Sequence, residues 1–132
     1  MSSPPPQVAL TGTVLATLTD IPDGGTKGFT LGEGDWPLRG LLVRLGDTVH
    51  GYVNRCPHAG HRLNFMPDRF LTPDGTLILC QSHGALFDKA TGDCVAGPCP
   101  GEALTRLPVE TRDGQVRLAA DVDIDALAQR PW

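Results

Sequence analysis

The sequence predicts an all-β fold, and three observations carry that reading. Glycine (16) and proline (12) are frequent enough to cut 132 residues into short elements. Helical periodicity and internal repeats are almost absent, and segments in which Thr and apolar residues interleave end at Asp, Gly or Pro clusters. Val8 to Leu18 is such a segment, and it meets Asp20-Ile21-Pro22-Asp23-Gly24-Gly25, a strand running into a turn. Leu41 to Leu45 and Val49 to Asn54 flank Gly46-Asp47-Thr48 and form a predicted hairpin. Pro73-Asp74-Gly75 is a turn signal, and Leu77 to Cys80 reads as the strand after it. Ala85 to Asp88 followed by Lys89-Ala90-Thr91-Gly92 is another strand and turn, and Leu107 to Thr111 with Gln115 to Leu118 forms a last hairpin around Arg112-Asp113-Gly114. The length suits one compact domain with a modest core. Residues 1–7 are expected to be a flexible N-terminal segment, 8–120 the domain, and 121–132 a C-terminal tail with one helical turn around Asp125 to Gln129.

Charge and hydropathy narrow the function classes. A formal net charge of −4 and a pI near 5.4 provide no basic field for nucleic acid or for an anionic membrane surface. The Ser/Pro-rich start lacks the charged head and apolar core of a secretory signal. Apolar runs such as Leu77-Ile78-Leu79-Cys80 are too short to span a bilayer. The expectation is a cytoplasmic protein that docks with other proteins. Residues 55–101 carry balanced charge, and the net negative charge lies in the flanking segments, a split that would orient the molecule toward a partner.

Two short boxes carry the chemistry. Cys56-Pro57-His58 and Cys80-Gln81-Ser82-His83 each supply one thiolate and one imidazole. A two-iron, two-sulfide cluster with two Cys on one iron and two His on the other needs that inventory. Cys56, His58, Cys80 and His83 are therefore the candidate ligands of one [2Fe-2S] cluster per chain, and no residue is assigned a catalytic role. The predicted strands deliver the chain into each box, which places the boxes at hairpin tips. Pro57 stiffens the first turn. Gly60 and Gly84 follow the histidines and would let backbone amides approach the inorganic sulfides. Exchanging two thiolates for neutral imidazoles makes electron addition easier, raising the potential from roughly −400 mV toward roughly −150 to +300 mV. Two Cys and two His also suit a structural zinc ion, so a zinc-stabilised binding module is the bland alternative.

Over residues 50 to 110 these features resemble the Rieske family. Cys56-Pro57-His58-Ala59-Gly60-His61-Arg62-Leu63 is similar to its first box, C-x-H-x-G-x-x-L. Cys80-Gln81-Ser82-His83-Gly84-Ala85-Leu86-Phe87-Asp88 is similar to its second, C-x-x-H-G followed by an aromatic residue and Asp. Gly97-Pro98 resembles the proline loop that packs over the cluster, and Leu104 to Val109 the strand after it. The resemblance implies stacked antiparallel sheets with a small cluster-binding subdomain at one tip, its loops at about 55–64 and 80–88. His61 and Ser82 occupy the places where high-potential members carry disulfide-forming cysteines. Ala85 and Phe87 stand where those members place hydroxyl donors, which implies the lower part of the Rieske range. The spacer of 21 residues between His58 and Cys80 is long for ferredoxins of ring-hydroxylating oxygenases.

The resemblance implies a ferredoxin that carries single electrons from a flavoprotein reductase to a terminal oxygenase. The second reading is a Rieske small subunit of a larger oxidoreductase such as a nitrite reductase. Outside the boxes, Cys94 and Cys99 are expected to be small buried thiols, with a local disulfide or redox-sensitive pair as the alternative. His61 is either a docking or proton-coupled residue or a solvent-facing one. His50, in a predicted strand, is expected to be structural. Trp36 and Trp132 are expected at the core edge or capping a sheet.

Overall fold

The computed structural model describes residues 7–32, 37–57, 62–64, 68–81, 84–97 and 101–127. In chain order the strands are β1 (Val8–Ala9), β2 (Val14–Thr17), β3 (Thr26–Leu31), β4 (Leu38–Leu45), β5 (Thr48–Val53), β6 (Ile78–Leu79), β7 (Leu86–Phe87), β8 (Cys94–Ala96), β9 (Arg106–Leu107), β10 (Val109–Arg112), β11 (Gln115–Leu118) and β12 (Val122–Asp123). A 3₁₀ turn spans Leu18–Asp20, and helix α1 is the single turn Ile124–Leu127. The strands form antiparallel sheets ordered β3-β4-β5-β9, β10-β11-β2, β6-β7-β8 and β1-β12. This is the predicted all-β class.

The sheet containing β4 and β5 is the middle layer because both strands bury both faces. Leu41, Val43 and Tyr52 face one core with Cys56, Leu63, Phe70, Ile78, Cys80, Phe87 and Leu104. Leu38 and Val53 face a second core with Leu118, Val122 and Ile124. Leu42 and Val49 face a third with Ala16, Ile21 and Val116. Alternate residues of one strand point to opposite sides of a sheet, so continuous apolar runs mark strands covered on both. The predicted β4–β5 hairpin is present, with Leu45 opposite Thr48 and Gly46 at φ 65° in the turn.

Two predicted strands are divided. Val8 to Leu18 breaks at Gly12, which has φ 90° and donates its N–H to the Leu118 carbonyl at 2.8 Å. The first part, β1, then pairs with β12 and the second, β2, with β11. Leu107 to Thr111 breaks at Pro108, whose nitrogen has no hydrogen to give a ladder. On one side of it β9 pairs with β5, and on the other β10 pairs with β11. Strands β3, β8 and β12 were not expected from the sequence. Strand β3 contains Lys27 and Gly28, poor strand formers, and owes its conformation to six paired positions along β4. There Phe29 lies opposite Gly40, so tightly that a Cβ on Gly40 would collide with the ring. The predicted helical turn is present in part as α1, and its remaining positions lie outside the described residues. No helix among the described residues is long and apolar enough to cross a membrane.

Candidate metal centre

Strand β5 ends at Val53, and three residues later Cys56 enters the core. The second box connects β6 to β7, a hairpin in which Ile78 pairs with Phe87 and Leu79 with Leu86. Its ends are closed by Cys80 N–H donating to the Ala85 carbonyl at 2.9 Å and Gly84 N–H donating to the Cys80 carbonyl at 3.0 Å. Gly84 takes φ 75°, a left-handed conformation that carries no steric penalty without a Cβ. Its own N–H serves this turn through the Cys80 carbonyl.

Neither box cysteine is in a disulfide, and both are fully buried in the same apolar core. Cys94 stands in contrast. It is half-buried in β8 and disulfide-bonded, which corrects the expectation of a small buried thiol and removes it as a thiolate ligand. Two soft, water-excluded sulfur donors at the ends of adjoining loops fit the sulfur half of the predicted ligand set. His58, His83, His61, Gly60, Ser82, Pro98, Cys99, Trp36 and Trp132 lie outside the described residues.

The two boxes are tied together by backbone. Gln81 N–H, beside Cys80, donates to the Leu63 carbonyl at the end of the first box, at 2.8 Å. Leu63 N–H in turn donates to Asn54 Oδ1 at 2.8 Å, and Asn54 Nδ2 donates to Asn64 Oδ1 at 2.9 Å. Asn54 is 7% exposed and is the buried polar residue of the described core. Its own backbone N–H donates to the Arg39 carbonyl on β4 at 2.9 Å. One amide thus anchors the first box to the middle sheet. The role of Asn54 is not legible in the sequence. Its only local signal was a lone amide between the apolar end of β5 and Cys56.

The floor and the long spacer are fastened separately. Tyr52, fully buried, donates its hydroxyl proton to the Lys89 carbonyl at 2.9 Å. Burial pushes its phenol up to about 12, with Arg106 opposing and Asp88 and Asp93 adding to the rise, so the hydroxyl stays a donor. The turn carrying Lys89 is held by Asp88, whose Oδ1 accepts Ala90 N–H at 2.8 Å and Thr91 N–H at 3.0 Å. Those bonds, Thr91 first, hold its carboxyl below the usual carboxylate range. The turn closes at Gly92, where a Cβ would stand 2.7 Å from Tyr52 Cε1. Within the spacer, Asp68 adopts φ 59° and accepts Gly28 N–H from β3 at 2.7 Å, while Thr26 Oγ1 donates to its carbonyl at 2.9 Å. Leu79 N–H donates to Phe70 O at 2.7 Å, completing the return to the second box.

His50, expected to be structural, lies on β5 with Nδ1 3.3 Å from Arg106 Nη2. Burial, followed by the Arg106 charge, lowers its pKa against an opposing contribution from Asp88.

The sequence profile of the Rieske [2Fe-2S] domain matches residues 12–117. No curated protein matches the chain. Among solved structures, the ferredoxin of carbazole 1,9a-dioxygenase from Nocardioides aromaticivorans IC177 superposes with a TM-score of 0.63 at 26% identity, covering 83% of this chain and 98% of that one. A chain from a complex of reduced oxygenase and oxidized ferredoxin in carbazole 1,9a-dioxygenase superposes with a TM-score of 0.63 at 23% identity, covering 84% of this chain and 94% of that one. The terminal oxygenase of the Nocardioides system gives a TM-score of 0.64 at 21% identity over 83% of this chain, but over only 30% of its own length. The match spans both boxes, the buried thiols fit its sulfur ligation, and the cofactor it implies is an iron–sulfur cluster rather than zinc. The chain belongs to the Rieske [2Fe-2S] domain family, with one two-iron, two-sulfide cluster as its resident cofactor.

Proposed function

We propose that this chain is a ferredoxin-type carrier, taking single electrons from a flavoprotein reductase and delivering them to a terminal oxygenase. The observation that carries the reading is the pair of buried cysteines, neither in a disulfide, on two backbone-tied loops. It is supported by the extent of the likeness, which takes in nearly all of a dioxygenase ferredoxin but under a third of a terminal oxygenase. In this reading Cys56 and Cys80 ligate one iron and His58 and His83 the other, within a domain of residues 8–120. The bound cluster supplies a one-electron couple. The chain keeps the sulfur ligands dry with Leu41, Tyr52, Leu63, Phe70, Phe87 and Leu104, and a low-polarity wall strengthens the charge interactions that set a potential. The Gln81-to-Leu63 bond limits relative movement of the loops, so little reorganisation accompanies electron transfer. The proposed location is the cytoplasm, with no part in nucleic-acid or membrane binding.

Anaerobic purification followed by iron and sulfide analysis and electron paramagnetic resonance after reduction tests the reading. About two irons and two sulfides per chain are expected. Cys80→Ser or His83→Ala should abolish or strongly alter the resonance. Rapid mixing with a reductase and an oxygenase should show reduction and then reoxidation of the visible band. Stable co-purification with a large subunit would replace the shuttle by the small-subunit reading.

A further inference from the structure

We propose that the groove between the outer edge of β3 and the end of the first ligand box docks an acidic, extended segment of a redox partner, with Arg39 and Arg62 receiving its carboxylates. The groove has a volume of about 380 Å³, and its lining includes Thr30 of β3, Arg39 of β4, Arg62 and Asn64 of the first box, and Asp68.

Charge selects the class of occupant. Arg39 and Leu41 share one face of β4, and Leu41 packs in the core that encloses Cys56 and Cys80. Arg62 precedes Leu63, whose carbonyl accepts Gln81 N–H beside Cys80. Both arginines are exposed, and among the described residues neither guanidinium has a hydrogen-bond or ion-pair partner. Asp68 is the opposing charge in the groove, but its Oδ1 already accepts Gly28 N–H at 2.7 Å. A positive surplus therefore remains in this groove, on a chain whose formal net charge is −4. The planar guanidinium fork suits a carboxylate.

A second observation is independent of charge. The Arg39 carbonyl turns toward β5, where it accepts Asn54 N–H at 2.9 Å. Arg39 stands opposite Thr30, so this is a position of the β3–β4 ladder at which the facing residues exchange no hydrogen bonds. The N–H and C=O of Thr30 thus point outward, and among the described residues nothing pairs with them. One step earlier on the same edge, Gly28 N–H is closed by Asp68. An extended protein segment offers both a backbone donor and a backbone acceptor to the open position, whereas a small anion has no donor for the Thr30 carbonyl. Alternate side chains of such a segment share a face, so acidic residues at alternate positions turn toward the groove together.

Binding stands on this geometry, whereas its use in electron transfer rests on the carrier reading, since it would hold a partner against the loop that ends the first ligand box. The probe is a capped pentapeptide of threonine and glutamate in alternation, with two glutamates, titrated into full-length iron-loaded protein by calorimetry and NMR. Saturable binding with shifts at the Thr30 and Arg39 amides is expected. Arg39→Gln and Arg62→Gln should each weaken it by about two- to fivefold, the scale of one exposed ion pair. Arg39→Glu combined with Arg62→Glu should weaken it by about tenfold or more. Arg112→Gln, on the β10–β11 hairpin of another sheet, makes the same charge change and should leave affinity within about twofold. If the doubly reversed variant fails to fold, a peptide with glutamines in place of its glutamates decides the matter on wild-type protein, where it should bind about tenfold more weakly. The proposal is overturned by the absence of saturable binding, by equal losses from Arg112→Gln and Arg62→Gln, or by a peptide that binds no tighter than glutarate, which carries two carboxylates without a backbone. An iron-free preparation that still binds the peptide sinks the carrier reading alone, and iron-loaded protein that does not bind it sinks the docking site alone.

Discussion

Replacing Asn54 with alanine isolates the anchor of the first ligand box. The substitution removes two hydrogen bonds, one from the buried Leu63 N–H and one to Asn64. Leu63 is fully buried, so its N–H finds no water when the acceptor is gone. A stranded buried donor costs about 1–3 kcal/mol, and the half-buried amide pair contributes about 0.5–1.5 kcal/mol. The combined loss is about 1.5–4.5 kcal/mol. For a domain of this size that lowers the thermal midpoint by about 5–16 °C. Anaerobic scans of the holoprotein, followed by far-ultraviolet circular dichroism and by the visible cluster band, read both protein and site. The site signal should weaken at or before the global transition, because the lost bonds hold the loop ending at Leu63. Asn64→Ala removes the second bond and leaves the first, so it should cost less. The reasoning is refuted if Asn54→Ala costs under about 1 kcal/mol, or if the two variants are equivalent.

Tyr52→Phe should keep the ring packed against Gly92 but leave the Lys89 carbonyl without its donor. A loss of about 0.5–1.5 kcal/mol in denaturant unfolding is expected with iron content unchanged, and a neutral result would mean that water replaces the hydroxyl. His50 adds a pH dependence. Burial and the Arg106 charge hold its folded pKa below the ordinary histidine value of 6.5, so the unfolded chain binds the extra proton more readily. Its contribution to stability is full above 6.5 and is lost as the pH falls from there through the lower folded value. His50→Asn should flatten that part of the profile, and an unchanged slope between wild type and variant would count against the assignment.

Much of the fold was legible because its signals are local. The apolar runs of β4 and β5 around Gly46-Asp47 specify a hairpin wherever they occur, since a strand buried on both faces needs continuous hydrophobicity. The boundaries failed where a residue answers to a distant partner. Pro108 splits a predicted strand between two sheets, and β3 takes its form from β4 despite Lys27 and Gly28. The pairing of β1 with β12 joins segments far apart in the chain, and no periodicity within two-residue strands announces it.

The sequence by itself determined the family and the class of cofactor, because the donor types that suit a cluster stand at short spacing in Cys56-Pro57-His58 and Cys80-Gln81-Ser82-His83, the candidate ligand boxes. Tertiary structure alone decided which cysteines stay reduced. Four thiols look alike in a sequence, but Cys56 and Cys80 are enclosed in an apolar core while Cys94 sits in a half-exposed strand and is bonded. It likewise decided that Asn54 would hold the first box, since a buried amide is stabilising only where folding brings a matching donor and acceptor to it.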